Sequence, residues 1–317
     1  MTSTTECSVL FRPETDALRF LPEGPYTLDD QRITWVGIQH GADSTVGSLN
    51  VLNLQTGQNE SMELPGRPGF AFPTTQQDVF VCGAERSLGL FDCRDGRWTE
   101  LAGNIDHAVD NTIVNDAVAY KDNLIFGCKE LEFTTKKAGL YLWRGRDEQL
   151  IQLRDDQICS NGKAVLEADG RLWLIDIDTP SKCVTKAELD IEAGALGNQE
   201  VIVDLTHEDR FPDGMILTPD HQSLIIAFYD PGDPAAGEAI QYSLADASVQ
   251  HIWTCPGSPR VTCPQLVRHE KSVKLVLTTA VEHMEADQQA RHTNAGSLFI
   301  GDTTFDAIGD QPKFILS

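Results

Sequence analysis

The chain has 317 residues, with 25 basic and 48 acidic side chains and a formal net charge of −23. That balance argues against a nucleic-acid or anionic-membrane partner, since both are bound through basic patches, and no apolar run approaches the roughly 20 residues of a membrane span. The opening MTSTTECSVLFR has no signal-peptide apolar region, so a cytoplasmic protein is expected.

Six runs of β-type apolar residues begin at Ile33, Val79, Leu124, Leu172, Leu224 and Val273, at spacings of 46, 45, 48, 52 and 49 residues. A unit of about 40–50 residues is the length of a four-stranded propeller blade. The first repeat opens with PEGP (22–25), then predicts strands at PYTL (25–28), ITWVGI, GSLNVLNL (47–54) and SMELP (61–65). The second opens with GFAFP (69–73) and continues through VFVCG, SLGLFD and WTELA. In the third, VNDA (114–117) precedes DAVAY (116–120), LIFGC, AGLYLW and LIQLR. SNGK (160–163) opens the fourth, followed by KAVLE, LWLIDI, CVTKAELD and EVIVDL. PDGM (212–215) opens the fifth, followed by GMILT, LIIAF, AIQYSLA and VQHIW. VTCP (261–264) opens the sixth, followed by PQLVR, VKLVLTTA, GSLFIGD and KFILS (313–317). SVLFR (8–12) is left over, and is expected to pair with the last repeat beside or in place of KFILS. Turns such as TGQN and RDGR place Gly where a positive φ is needed. The expected fold is all-β: one six-bladed β-propeller domain over 1–317, with four antiparallel strands per blade.

Eight scattered cysteines form no C-x-x-C pair, and read as reduced thiols. The G-x-S-x-G, G-x-G-x-x-G and P-loop motifs are all missing from the sequence. His283 and His292 bracket MEADQQAR, which reads as a short helix or flap, with the histidines as surface polarity.

The chemistry lies in the motifs. Equivalent positions of a propeller converge on its axis, and Glu23, Asn115, Asn161 and Asp213 occupy one phase of the repeat. Alone, each reads as an ordinary turn or surface residue. Yet the turns occupy a different phase and have their own residues, Asp29-Asp30, Asp169-Gly170 and Asp220. Carboxylate and amide oxygens are hard donors, which favours Ca²⁺, Mg²⁺ or Mn²⁺ over a structural zinc site.

LPEGP, VND, CSNGKAVLEADGRLWLID (159–176), LDIEAGALGNQEVIVDL (189–205), FPDGM and VTCPQLVRHEKSVKLVLTTA (261–280) together resemble the gluconolactonase–regucalcin family, also called senescence marker protein and luciferin-regenerating-enzyme-like proteins. The resemblance runs from about Leu21 to Ile300. It implies a propeller with one catalytic divalent cation held by Glu23, Asn161 and Asp213, a substrate- or water-contacting Asn115, and Asp213 as the proposed base. Calcium is the first choice of metal, with zinc, manganese or magnesium as alternatives. The implied partner is a small-molecule lactone of the sugar type; oligomeric state is left open. Two positions of the substrate wall depart from the family pattern. Ile113 stands where many members have Arg, and Lys129 where Met is usual in Gly-Thr-Met. Both are taken as substrate-binding positions of altered character. The rival readings are a related propeller esterase or organophosphatase with a less hydroxylated substrate, and a non-enzymatic binding propeller that keeps a cation for structure.

Overall fold

The computed structural model describes residues 2–316. Its strands form six antiparallel sheets, the blades of a six-bladed β-propeller. Blade 1 comprises Pro22–Thr27, Arg32–Gly37, Gly47–Asn53 and Asn59–Leu64. Blade 2 comprises Pro68–Pro73, Val79–Ala84, Ser87–Asp92 and Arg97–Ala102, and blade 3 Thr112–Tyr120, Asn123–Glu130, Ala138–Arg144 and Gln149–Gln157. Blade 4 runs Ser160–Ala168, Arg171–Asp178, Cys183–Asp190 and Glu200–Asp204, with the short Ala195–Leu196 also pairing to its third strand. Blade 5 runs Phe211–Leu217, Ser223–Tyr229, Ala236–Ser243 and Val249–Pro256. In blade 6, Val261–His269, Ser272–Thr279 and Leu298–Asp302 are joined by Ser8–Phe11.

The N-terminal segment thus takes the place expected for KFILS. Ser8–Phe11 pairs antiparallel with Leu298–Asp302, while Phe314 forms a parallel bridge with Thr74 of blade 2. An edge strand leaves a row of open backbone groups, and any extended segment of suitable pattern can fill it. Residue 317 lies outside the described residues. Blade 5 gains an unexpected fifth strand, Ser3–Glu6, parallel to Val249–Pro256. The glycines of the predicted turns have positive φ, 70° at Gly57 and 71° at Gly96.

The residue contacts gather into two compact units. The first, ending at Glu63 and resuming over Glu208–Gln311, carries blades 1, 5 and 6. The second, Leu64–His207 with the residues from Pro312, carries blades 2, 3 and 4. Within each, sheets pack through the alternate apolar positions of their strands. Ile225, Trp253, Leu275 and Phe299 fill the space between blades 5 and 6, and Ile33, Trp35, Leu52 and Val276 that between 6 and 1. In the second unit Ile125, Leu142, Leu174 and Leu189 join blades 3 and 4. Each such side chain contributes about 1.5–3 kcal/mol on burial. All eight cysteines are free, and burial pushes the thiols of Cys82, Cys128 and Cys255 well up, which keeps them unreactive.

Every first strand carries a β-bulge at the sequence motif. The register slips by one residue at 23–26, 68–70, 114–117, 161–163, 212–215 and 261–264. The motifs were expected to precede the first strands; instead they lie inside them. The extra residue interrupts the alternation of apolar side chains, so the sequence pattern resumes only after the bulge. Close approach of neighbouring first strands explains the small residues there. A Cβ at Gly69 would lie 2.0 Å from the Asn115 carbonyl oxygen, and one at Gly214 2.6 Å from Cys263 Sγ.

Candidate active site

In the first unit, the first strands of blades 1 and 5 both neighbour that of blade 6. Glu23, 9 % exposed, starts the bulge of blade 1, and its Oε2 accepts from the Gly24 N–H at 2.7 Å. Asp213, 8 % exposed, lies in the bulge of blade 5. Between these strands Thr262 donates to the Pro22 carbonyl at 2.7 Å, tying blade 6 to the segment before Glu23. Tyr229, on the second strand of blade 5, donates to the Glu282 carbonyl at 2.8 Å. Burial pushes its hydroxyl far up; the Glu282 and Asp213 charges add to this and Arg260 opposes it. Arg260 is itself buried, sits 5.4 Å from the Tyr229 ring centre, and donates to the carbonyls of Glu282 and His283. The segment after Ala280 is therefore pinned to blade 5.

The expected helix forms over Ala286–Arg291, but His292 is buried rather than a surface residue. It shares a 2.5 Å hydrogen bond with Asp233, whose carboxyl is held below its ordinary value by that bond and by Arg291. The isolated histidine gave no hint of a partner so far away in sequence.

In the second unit, the first strand of blade 3 lies between those of blades 2 and 4. This brings Asn115 and Asn161 together. Asn115 Nδ2 donates to Asn161 Oδ1 and to the Ser160 carbonyl, each at 2.9 Å. Asn161 Nδ2 donates to Thr179 Oγ1 at 2.9 Å. The amide of Asn161 is thus held with its oxygen towards Asn115, and that oxygen keeps a second lone pair. Asn115 has committed both N–H groups, so its own Oδ1 is left as an acceptor.

Beneath Asn161 lies a buried charge cluster. Lys163 donates to the Asn161 carbonyl at 2.8 Å and pairs with Asp176 at 3.4 Å, with side chains 0 % and 3 % exposed. Asp176 also accepts from Gln157 at 2.6 Å. Asp176 is thereby linked to Asn161 through Lys163. The Asp116 carboxyl, inside the bulge, is pushed up by burial and by Asp176, against the pull of Lys163 and of the Ala117 N–H. Lys163 and Gln157 escaped the sequence reading. The available signal was a lysine on the inward phase of a strand, where a charge needs a buried partner.

The two positions expected to line the substrate wall are cross-strand partners. Ile113 lies directly opposite Lys129, and both are buried, at 2 % and 8 % exposed. Lys129 also bridges through its backbone to Cys159, two residues before Asn161. Of the six predicted site residues, Glu23 and Asp213 belong to the first unit and Asn115, Asn161, Ile113 and Lys129 to the second. Among the described residues no three His, Cys, Asp or Glu side chains form a ligand group. The predicted metal set contains only two carboxylates, its third donor being the amide of Asn161.

The fold is shared with solved structures. A regucalcin from Agrobacterium tumefaciens, described as a calcium-binding protein, superposes with a TM-score of 0.81 at 19 % identity, covering 99 % of each chain. A luciferin-regenerating enzyme gives 0.80 at 16 % identity, covering 98 % of this chain and all of the other. A gluconolactonase from Xanthomonas campestris gives 0.64 at 15 % identity, covering 94 % and 89 %. At these identities the likeness is one of fold. No curated protein matches the chain by sequence. The sequence model of the SMP-30/Gluconolactonase/LRE-like region matches residues 21–281, and the chain belongs to that family.

Proposed function

We propose that the protein is a lactonase: it hydrolyses the ring ester of a small sugar-type lactone with the help of one divalent cation held by Glu23, Asn161 and Asp213. The observation that carries this reading is the coincidence of bulges and motifs. Bulges re-aim side chains and gather beside active sites, and here they carry Asn115 and Asp213 and border Glu23 and Asn161. Membership of the SMP-30/gluconolactonase/LRE-like family supports the same reaction class. We treat residues 1–317 as one working domain and the cytoplasm as its location, in keeping with eight free cysteines.

The donors suit a hard cation. Two buried carboxylates and an amide oxygen fit calcium first, with magnesium, manganese or zinc as alternatives. When bound, such a cation supplies Lewis-acid stabilisation of the charge that grows on an ester carbonyl oxygen.

The protein's own groups do the rest. Asp213 accepts an O–H of the attacking water, takes its proton, and returns it to the ring oxygen as that oxygen leaves. Asn115 Oδ1 is a second acceptor that orients the water or a substrate hydroxyl, its N–H groups being already committed. Ring opening consumes one water and yields a hydroxy acid.

A cation screen by thermal shift, followed by lactone hydrolysis in a pH-stat, tests this directly. One cation should both raise Tm and switch on ring opening, and Glu23→Gln should abolish both responses. Failure of the cation-loaded protein to open any lactone of a broad panel would overturn the assignment.

A further inference from the structure

We propose that the lactone taken by this protein carries an oxyanion substituent, a carboxylate or a phosphate, and that Lys129 binds it. This deepens the lactonase reading and rests on it. Lys129 is 8 % exposed, yet its ammonium makes no hydrogen bond or ion pair with any described residue. Its nitrogen is also not among the buried polar atoms sealed from solvent without a partner. The side chain is therefore packed along its length, with a tip that reaches accessible space.

Such an arrangement is costly unless something compensates it. A lysine is almost never buried to this extent without a partner, and the acidic group that feels its charge, Glu85, is already used. The Glu85 carboxylate receives two bonds from the Arg67 guanidinium, at 2.7 and 2.9 Å, and one from its backbone N–H at 3.0 Å. Burial would raise the Glu85 carboxyl, but the Arg67 bonds outweigh it and hold the group below its ordinary value, with Lys129 a minor further influence. Arg67 and Glu85 thus cancel, and the Lys129 charge remains over.

Its place in the fold makes that charge useful. Lys129 is opposite Ile113, two residues before Asn115, and its backbone bridges Cys159, which precedes the Ser160 carbonyl that Asn115 holds. The Lys129 ammonium therefore belongs to the end of blade 3 that carries Asn115. On the lactonase reading, Glu23 and Asp213 balance the divalent metal, so neither is spare for Lys129. In a chain of net charge −23, a lone positive group beside the site selects a negative substituent.

Matched substrates test the proposal. D-Glucaro-1,4-lactone and D-glucono-1,4-lactone differ by a carboxylate in place of a hydroxymethyl group. 6-Phospho-D-glucono-1,5-lactone and D-glucono-1,5-lactone make the corresponding phosphate pair. For one charged lactone, kcat/KM should exceed that of its neutral partner by about ten- to a hundredfold, the worth of one charge-assisted hydrogen bond. Lys129→Met should erase the ratio and Lys129→Arg should keep most of it. Calorimetry supplies a readout independent of turnover: D-glucarate or 6-phosphogluconate should bind more tightly than D-gluconate, and only when residue 129 is cationic. The arm that responds distinguishes carboxylate from phosphate. Equal kcat/KM within both pairs, or a preference that survives Lys129→Met, overturns the proposal while leaving the lactonase reading intact. If no lactone is opened at all, the lactonase reading falls, and the calorimetric comparison still decides the role of Lys129.

Discussion

Blades 1, 5 and 6 and blades 2, 3 and 4 build opposite chemistry on the same bulged strand. The first set offers carboxylates, Glu23 and Asp213, on strands flanking a hydroxyl-lined neighbour. Its buried cation, Arg260, is spent on the backbone carbonyls of Glu282 and His283. The second set offers the amides of Asn115 and Asn161, with lysines close by: Lys163 paired beneath Asn161, and Lys129 without a partner among the described residues. A repeated backbone device fixes where a side chain emerges but leaves its chemistry free. On the lactonase reading the two carboxylate donors for a cation come from the first set, and the amide pair and Lys129, offered to a substrate, from the second.

The widest separation between the halves should come from Asp213→Ala. The proposed base and one cation donor go together, so ring opening and the cation-dependent rise in Tm should both be lost. Stoichiometric metal retained by the variant would break the assignment of the acidic half.

Lys163→Met should show the reverse. It leaves Asp176 and the Asn161 carbonyl short of a positive partner, and breaking a buried pair costs about 3–5 kcal/mol. Urea unfolding of the cation-free protein measures this. A loss under about 1 kcal/mol would mean that the cluster under Asn161 does not organise the amide half.

The smallest effect concerns pH. Burial raises the Asp116 carboxyl above its ordinary 3.8, so the folded chain holds that proton more tightly than the unfolded one. Stability from this group is full below the ordinary value and falls as pH climbs from there through the raised folded value. Asp116→Asn should remove that decline, gaining on the parent at neutral pH and not at strongly acidic pH. Parallel curves of unfolding free energy against pH for the two proteins would contradict it.

The blade count, the strand order within each blade and the phase shared by Glu23, Asn115, Asn161 and Asp213 were legible in the chain, because a repeat of 45–52 residues and alternating apolar residues are local patterns. The motifs read as segments before the first strands because a bulge erases the alternation that marks a strand. SVLFR and KFILS were equally good candidates for the last edge of blade 6. Only the assembled sheet chose the N-terminal segment and sent Phe314 to Thr74.

Residue type and spacing by themselves determined the fold class and the candidate donors. Tertiary structure alone decided which groups have partners. Ile113 looked like the loss of a cation until the strand register set Lys129 opposite it. Spacing along the chain does not show that Lys163 links Asp176 to Asn161. Periodicity is written between neighbours in sequence, whereas the pairing of a buried charge depends on atoms a few ångströms away whose positions are set by register and by the packing of one sheet on the next.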